Sequence, residues 1–168
     1  MKLQLFKYYC ATCGTTTLAP ELTGDVYGCF LLRSRVSGEL AYVEALSDSV
    51  YHETEQILEA IPGYRKLNKF GRADALRAVF GCTCDLAQDG SYFKIGAEPI
   101  CEGCGALSSM ASWEATEPPE YVEKQIPHVT HYEWHNMEIN EKQRLVAAEF
   151  EIFQEDSRHA GSQANSDS

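Results

Sequence analysis

The sequence predicts an α+β fold, in which a mixed, mostly antiparallel sheet carries two or three helices and is closed by a cluster of four cysteines. Short apolar runs bounded by turn residues are typical of strands, and apolar residues at helical spacing are typical of amphipathic helices. The pattern Cys-x-x-Cys-Gly occurs twice, near residue 10 and near residue 101. With 168 residues, 44% of them hydrophobic, the chain is long enough to bury one core.

Strands are predicted first at residues 2–9, which lead the chain into the first cysteine pair. Two further apolar runs, Val26 to Leu32 and Leu40 to Leu46, are short and bounded by turn residues, so we expect two antiparallel strands. The dipeptide Asp89-Gly90 favours a hairpin between two short strands. Strands are also expected on both sides of Cys101–Cys104.

Three segments have helical spacing. Residues 48–61 carry an apolar face that ends at Pro62-Gly63, and residues 71–80 carry a second one that ends at a glycine. The last helix has the strongest signal, because Asn140 and Gln143 form a capping pair ahead of apolar residues at helical spacing.

The predicted domain organisation is simple. Residues 1–153 are expected to form a single α+β domain. Residues 154–168 are polar and small, and we expect them to be a disordered tail.

Composition narrows the class of protein. No run of eighteen apolar residues occurs, and the first residues lack the features of a signal peptide, so we expect a cytoplasmic protein without a membrane partner. In a reducing compartment, seven cysteines indicate metal ligation rather than disulfides. The net charge of −11 disfavours binding to phosphate backbones and favours a cationic partner.

The repeated cysteine pattern carries the chemistry. Two residues between thiolates allow one tight turn to direct both sulfur atoms at one metal ion, and the glycine that follows supplies a positive φ. Two such turns together form a tetrahedral site for a structural Zn²⁺. The predicted ligands are the cysteines of the two motifs, Cys10, Cys13, Cys101 and Cys104.

The ten residues of the two motifs resemble the knuckles of zinc-ribbon and rubredoxin-like proteins. This resemblance implies that the four motif cysteines are zinc ligands and that the knuckle loops are exposed. The chain departs from a plain ribbon because 87 residues lie between Cys13 and Cys101. The zinc site would therefore join the first strand to a distant segment.

Other uses of the cysteines stay open at this point. Cys82 and Cys84 could replace the first pair as partners of the second. A Cys-x-x-Cys pair could also be a redox dithiol, although such a pair usually begins a helix. Cys29 lies in an apolar run and is expected to be a buried thiol.

Three histidines, His128, His131 and His135, form a second candidate group with Glu133. In a strand, His131, Glu133 and His135 would share one face, and in a helix the three histidines would align. Either arrangement could bind a second metal ion or supply an acid–base pair. The ordinary interpretation is a strand with an aromatic core face and a polar outer face.

The charges are unevenly distributed. Five basic residues lie between residues 61 and 81, and this basic segment comprises Arg65, Lys66, Lys69, Arg72 and Arg77. It is ordinarily a solvated surface, although it could contact nucleic acid. Residues 114–156 hold eleven acidic residues against three basic ones.

These observations predict a non-catalytic, acidic, zinc-binding protein that binds and masks a basic protein partner. By analogy of size and charge, a bacterial immunity protein that neutralises a toxin is one form of this function. One alternative is a zinc-ribbon module that contacts nucleic acid or transcription machinery through the basic segment. A second is a metal-dependent enzyme that uses His128, His131 and His135, and a third is a thiol oxidoreductase.

Overall fold

The computed structural model describes residues 1–24, 26–107 and 109–163, with side chains described up to residue 158. Seven strands and five α-helices lie in this part of the chain, and every pairing between the strands is antiparallel. The predicted α+β class is confirmed. The residues divide into two compact units, Met1–Asp48 with Leu86–Thr130, and Ser49–Asp85 with the chain from His131 onward.

The first unit contains all the strands. In chain order they are β1 (Lys2–Cys10), β2 (Thr16–Leu22), β3 (Cys29–Ser34), β4 (Leu40–Glu44), β5 (Phe93–Ile95), β6 (Met110–Ala115) and β7 (Tyr121–Glu123). One sheet has the order β2-β1-β6, with β7 also paired to β1, and the other has the order β4-β3-β5. The central strand β1 therefore delivers the first cysteine pair from the middle of its sheet.

The predicted strands are largely present. β1, β3 and β4 occupy the three predicted segments, and β3 pairs with β4. The turn at Asp89-Gly90 exists, with Gly90 at φ 79°, but it joins no hairpin because β5 pairs with β3. Strands lie on both sides of the second cysteine pair, as predicted, with β5 ending at Ile95 and β6 beginning at Met110.

Strand β2 was not predicted, because its sequence contains Pro20. Proline cannot donate to a sheet ladder and is normally confined to edge strands. β2 is such an edge strand, with Pro20 opposite Leu5 of β1. The buried Thr17 and Ala19 alternate with exposed Leu18, which is the period-2 pattern of a strand packed on one face.

The second unit contains all the helices. They are α1 (Ser49–Glu59), α2 (Pro62–Arg65), α3 (Lys69–Phe80), α4 (Tyr132–Asn136) and α5 (Ile139–Gln163). Among the described residues, no helix is long and apolar enough to cross a bilayer.

Helices α1 and α3 agree with the prediction apart from details at their ends. α1 buries Val50, Thr54, Ile57 and Leu58 on one face. α3 begins two residues earlier than predicted, because the Asn68 side chain accepts hydrogen bonds from the N–H groups of Phe70 and Gly71, at 3.0 and 2.9 Å.

The start of α5 differs from its predicted capping pair. The carboxylate of Glu141 accepts a hydrogen bond from the N–H of Glu138 at 3.0 Å, so the reciprocal contact lies two residues before Asn140. α5 continues to Gln163, through much of the segment whose composition predicts a tail. Residues 164–168 of that predicted tail lie outside the described residues.

Glu53 links three elements of the second unit. Its Oε2 accepts a hydrogen bond from Nε1 of Trp134 at 2.8 Å, and its Oε1 pairs with Nζ of Lys142 at 3.0 Å. The Trp134 side chain is 1% exposed, so its N–H needs this acceptor. Partial burial opposes ionisation of Glu53, but these two hydrogen bonds and the Lys142 charge outweigh it and lower the pKa of Glu53.

We predict that Glu53→Gln lowers the free energy of unfolding by about 1 kcal/mol at pH 7, because the amide keeps an acceptor for Trp134 but loses the ion pair. A lowered pKa means that the native state favours the carboxylate, so this stabilisation is present at neutral pH. It is lost as the pH falls through the titration range of Glu53. Urea unfolding of both proteins between pH 3 and pH 7 measures the difference.

Glu59→Gln is the control, because it removes the same charge from an exposed position in α1. An equal loss in both variants, or a loss for Glu53→Gln that persists unchanged at pH 3, would contradict the proposed role of this ion pair.

Candidate metal centre

The first cysteine pair lies in a tight turn that follows β1. The Gly14 N–H donates to the carbonyl of Cys10 at 2.9 Å, and the Cys10 N–H donates to the carbonyl of Thr15 at 3.0 Å. Gly14 has φ 72°, a backbone conformation that favours glycine. This turn directs the side chains of Cys10 and Cys13 to the same side.

The second cysteine pair repeats this geometry with the same offsets in sequence. The Gly105 N–H donates to the carbonyl of Cys101 at 2.8 Å, and the Cys101 N–H donates to the carbonyl of Ala106 at 3.1 Å. Gly105 has φ 69°. The two Cys-x-x-Cys-Gly motifs therefore form two equivalent knuckles, as their sequence likeness suggests.

The two knuckles bring their four sulfur atoms together. All four Sγ atoms lie within 4.8 Å of one another. Sγ of Cys10 lies 3.8 Å from that of Cys104, and Sγ of Cys13 lies 3.5 Å from that of Cys101. These separations are far longer than a disulfide bond of about 2.05 Å, and all four cysteines are free. The four cysteines could therefore hold a metal ion.

Burial divides each pair in the same way. Cys10 and Cys101, the first cysteines of the knuckles, are buried at 4% and 1% exposure. Cys13 and Cys104, the second ones, are exposed. The site thus has an inner side within the first unit and an outer side open to solvent.

The pKa values of the cluster show how its charge is distributed. The Ser109 hydroxyl, together with the backbone N–H groups of Cys13 and Thr12, lowers the pKa of Cys10 to about 6. For Cys104, the backbone N–H of Ala106 lowers the pKa. The neighbouring cysteine sulfurs outweigh that effect and raise it to about 12. Because thiolates this close repel one another, a cation is needed for all four to ionise together.

The second knuckle packs on the residues that follow the first. The Glu102 N–H donates to Oγ1 of Thr17 at 3.1 Å, and the Thr15 hydroxyl lies 3.2 Å from Sγ of Cys13. A Cβ atom at Gly103 would come within 2.8 Å of Cβ of Thr15 and closer still to its hydroxyl. Gly103 therefore allows the two knuckles to approach each other.

Some contributors to the site were not predicted. The Ser109 hydroxyl lies 3.3 Å from Sγ of Cys10, and the Ser109 carbonyl accepts a hydrogen bond from Ala11 at 2.7 Å. This placement depends on the register of β6 against β1, which sequence reasoning did not supply. Thr15 and Gly103 carried a weak signal, since both lie within or beside the knuckle motifs.

The alternative cysteine sites are not formed. The sulfur atoms that approach Cys101 and Cys104 are those of the first pair, so the alternative with Cys82 and Cys84 is wrong. Cys82 is buried in the second unit, and burial raises its pKa to about 12, which keeps the thiol protonated. Cys29 is only partly buried, and this burial raises its pKa.

The three histidines do not converge on a metal ion. His128 lies beside Tyr42 in the first unit, whereas His131 and His135 are at the start and end of α4 in the second. Nδ1 of His131 is hydrogen-bonded to the carbonyl of Thr83 at 2.7 Å. Within the described ranges, the four knuckle cysteines are the group of metal-ligating side chains that meets.

The predicted strand across these histidines is also wrong. Residues 132–136 form α4, whose first N–H groups, those of Tyr132 and Glu133, donate to the carboxylate of Asp85 at 3.0 and 2.9 Å. Trp134 is buried while Tyr132 is exposed, as expected for neighbours two positions apart on a helix.

The arginines of the basic segment are largely engaged within their own unit. Arg65 donates to the carbonyls of Glu59 and Ala60 at 2.7 and 3.1 Å, at the end of α1. Arg72 donates to the carbonyls of Leu67 and Arg65 at 3.1 and 2.8 Å. Arg77 pairs with Asp74 at 2.9 Å. These contacts explain the cluster of basic residues through helix capping and local pairing.

No protein-family model, curated protein or solved structure matches this chain.

We predict that Gly103→Ala lowers the free energy of unfolding by about 1–3 kcal/mol, because the added methyl group separates the knuckles or displaces Thr15. Chemical unfolding measures the loss. Gly24→Ala is the matched control, since a Cβ atom at Gly24 meets nothing within 4 Å. Equal stability of the two variants would contradict the close approach at Gly103.

Proposed function

We propose that the four knuckle cysteines bind one structural zinc ion, and that the protein is a non-catalytic acidic protein that binds and masks a basic protein partner. The observation that carries the zinc assignment is the spacing of the sulfur atoms. Four thiolates at 2.3 Å from Zn²⁺ in a tetrahedron are separated by about 3.8 Å. Two of the six separations, 3.8 and 3.5 Å, are close to that value, and all six lie within 4.8 Å.

A zinc ion with four thiolate ligands has a structural role. Catalytic zinc sites retain a position for water or substrate, whereas Cys₄ sites are closed. The ion would join the end of β1 to the knuckle at residues 101–104, and so stabilise the first unit. This assignment places the biological function on the protein surface and not at the metal.

The surface of β6, β7 and their connection supports an acidic binding role. This acidic β6–β7 surface carries five exposed side chains, namely Trp113, Glu117, Glu120, Tyr121 and Glu123. Glu114 points to the other face of β6, where it pairs with Lys7 and accepts a hydrogen bond from the Tyr9 hydroxyl. Tryptophan and tyrosine are enriched at the centres of protein interfaces. Carboxylates around them would attract a basic protein and reject an acidic one.

The charge of the whole molecule acts in the same direction. A net charge of −11 accelerates association with a cationic protein and opposes contact with nucleic acid. A protein that covers a basic active site in this way would inhibit it. In a narrower form of this function, the partner is a toxin and this chain is its immunity protein. The small size and the negative charge of the chain support this narrower form.

The zinc assignment predicts one zinc ion per wild-type chain and its loss in Cys101→Ser. Because metal binding contributes to folding free energy, we expect this variant to lose on the order of 5 kcal/mol or more of stability. Elemental analysis of the purified proteins measures the metal, and urea unfolding measures the stability.

Cys29→Ser is the control, because it makes the same chemical change at a partly buried thiol outside the cluster. It should keep the zinc ion. A metal-free Cys101→Ser protein that is as stable as the wild type would refute a structural role for the metal.

The partner proposal predicts that the immobilised protein captures a basic protein from an extract of its host, and that added salt weakens this capture. Replacing the three glutamates of the acidic β6–β7 surface with glutamine should reduce capture at least about tenfold. Quantitative mass spectrometry of the bound fraction at two salt concentrations measures both effects.

The matched control replaces three exposed glutamates of the second unit with glutamine, namely Glu133, Glu151 and Glu155. Both variants remove three negative charges, so an equal loss would indicate net charge and not the acidic β6–β7 surface. Capture of nucleic acid alone, or of no protein, would overturn the proposed function.

A further inference from the structure

A cavity of about 380 Å³ opens in the first unit on one face of the four-stranded sheet. Phe6 and Tyr8 are two positions apart on β1, so both side chains face the cavity. Trp113 lies opposite Tyr8 on β6. Glu21, Arg33 and Glu98 line it with polar groups. Its volume falls within the range of about 300–1,000 Å³ that is typical of ligand sites.

The positive charge of Arg33 is already compensated. Its side chain is 5% exposed, its Nη1 donates to the carbonyl of Ala97 at 2.9 Å, and its Nη2 pairs with Oε1 of Glu21 at 2.8 Å. Nη2 also donates to the carbonyl of Pro20. Arg33 therefore forms part of the floor of the cavity, and its donors are directed at protein acceptors.

The carboxylates leave the cavity with a surplus of negative charge. Oε1 of Glu21 accepts from Arg33 and from the Tyr8 hydroxyl, at 2.5 Å from the latter, while Oε2 accepts from no group in the described part of the chain. Glu98 is exposed at the rim and accepts a hydrogen bond from the Met110 N–H at 3.2 Å. Two carboxylates thus face one arginine.

The field at Tyr8 agrees with this surplus. Burial is the largest cause of the raised pKa of Tyr8. The hydrogen bond to Glu21 and the charges of Glu21 and Glu98 also raise this pKa, whereas the charge of Arg33 lowers it. The phenol therefore stays protonated and donates to Glu21. An anionic ligand would meet the same field as the phenolate.

Aromatic rings form the other wall. The Phe6 and Trp113 rings lie at 5.4 Å between centroids with an edge-to-face angle of 66°. Trp113 is 64% exposed, although tryptophan is usually well buried. An aromatic face beside a surplus negative charge is the arrangement that recognises an organic cation.

We propose that this cavity receives one arginine side chain of the basic partner, with the guanidinium stacked on Trp113 and hydrogen-bonded by Glu21 and Glu98. Arginine fits better than lysine because its planar group stacks on an aromatic ring while its N–H groups reach two carboxylates. The inference rests on the proposed function and specifies the partner, since Trp113 belongs to both the cavity and the acidic β6–β7 surface.

The test uses the whole chain and a small probe, N-acetyl-arginine amide, followed by ¹⁵N NMR titration. We expect the Trp113 indole and Gly96 amide signals to shift with the probe. The indole of Trp134, which is buried in the second unit, is the internal reference. N-acetyl-citrulline amide, a neutral analogue of the same shape, should bind at least about fivefold more weakly.

Two variants with matched controls locate the site. Glu98→Gln should weaken binding of the arginine probe at least about threefold. Glu120→Gln removes an exposed charge from the same unit and should leave this affinity unchanged. Trp113→Ala should weaken binding of the arginine probe at least about threefold, measured from the shift of the Gly96 amide signal. Tyr27→Ala, which removes an exposed aromatic side chain, should leave the affinity unchanged. Unfolding curves establish that each variant is folded.

The outcomes separate this inference from the proposed function. Equal affinity for N-acetyl-citrulline amide, or for N-acetyl-lysine amide titrated in the same way, would overturn the cavity assignment even if a basic partner is captured. Shifts that spare Trp113 and Gly96 would overturn it as well. Arginine-selective shifts that both cavity variants weaken would support it, even if the extract yields no partner.

Discussion

Four sulfur atoms within 4.8 Å of one another impose the strongest constraint on the first unit. Such a cluster is tolerated only if most of its thiols stay protonated or if a cation lies among them. The knuckle geometry serves the second possibility, because each turn is closed by its own backbone hydrogen bonds and ends in a glycine at positive φ. A metal ion bound there would help to fix β1 relative to the second knuckle, together with the hydrogen bond from the Glu102 N–H to Thr17.

The constraint acts in only one of the two described units. All described strands lie in the unit that contains the cysteine cluster, and all described helices lie in the unit that does not. The helical unit is stabilised by an apolar core and by buried polar contacts such as that between Glu53 and Trp134. The first unit has buried apolar residues of its own, such as Leu3, Leu32 and Val43, and holds the cysteine cluster in addition.

The sequence allowed the fold class, strands β1, β3 and β4, the main helices and the four converging cysteines to be predicted, since each depends on local spacing. Features that depend on tertiary contacts escaped. Strand β2 was missed because it contains Pro20, and the position of this strand at the edge of the sheet cannot be recognised from the sequence alone. His131 and His135 suggested a strand, but Asp85, distant in sequence, caps a helix there. Ser109 reaches Cys10 only through the register between β1 and β6.

The separation of the two knuckles has a consequence for biosynthesis. Cys101 follows Cys10 by 91 positions, and synthesis at about 5–20 residues per second takes roughly 5–20 s to cover that distance. Throughout that interval the nascent chain holds two thiols that have no ligand partners, while the helices of residues 49–80 are being made. Binding of one metal ion by all four cysteines would therefore come late in folding, and until then the first pair would be open to oxidation or to another metal.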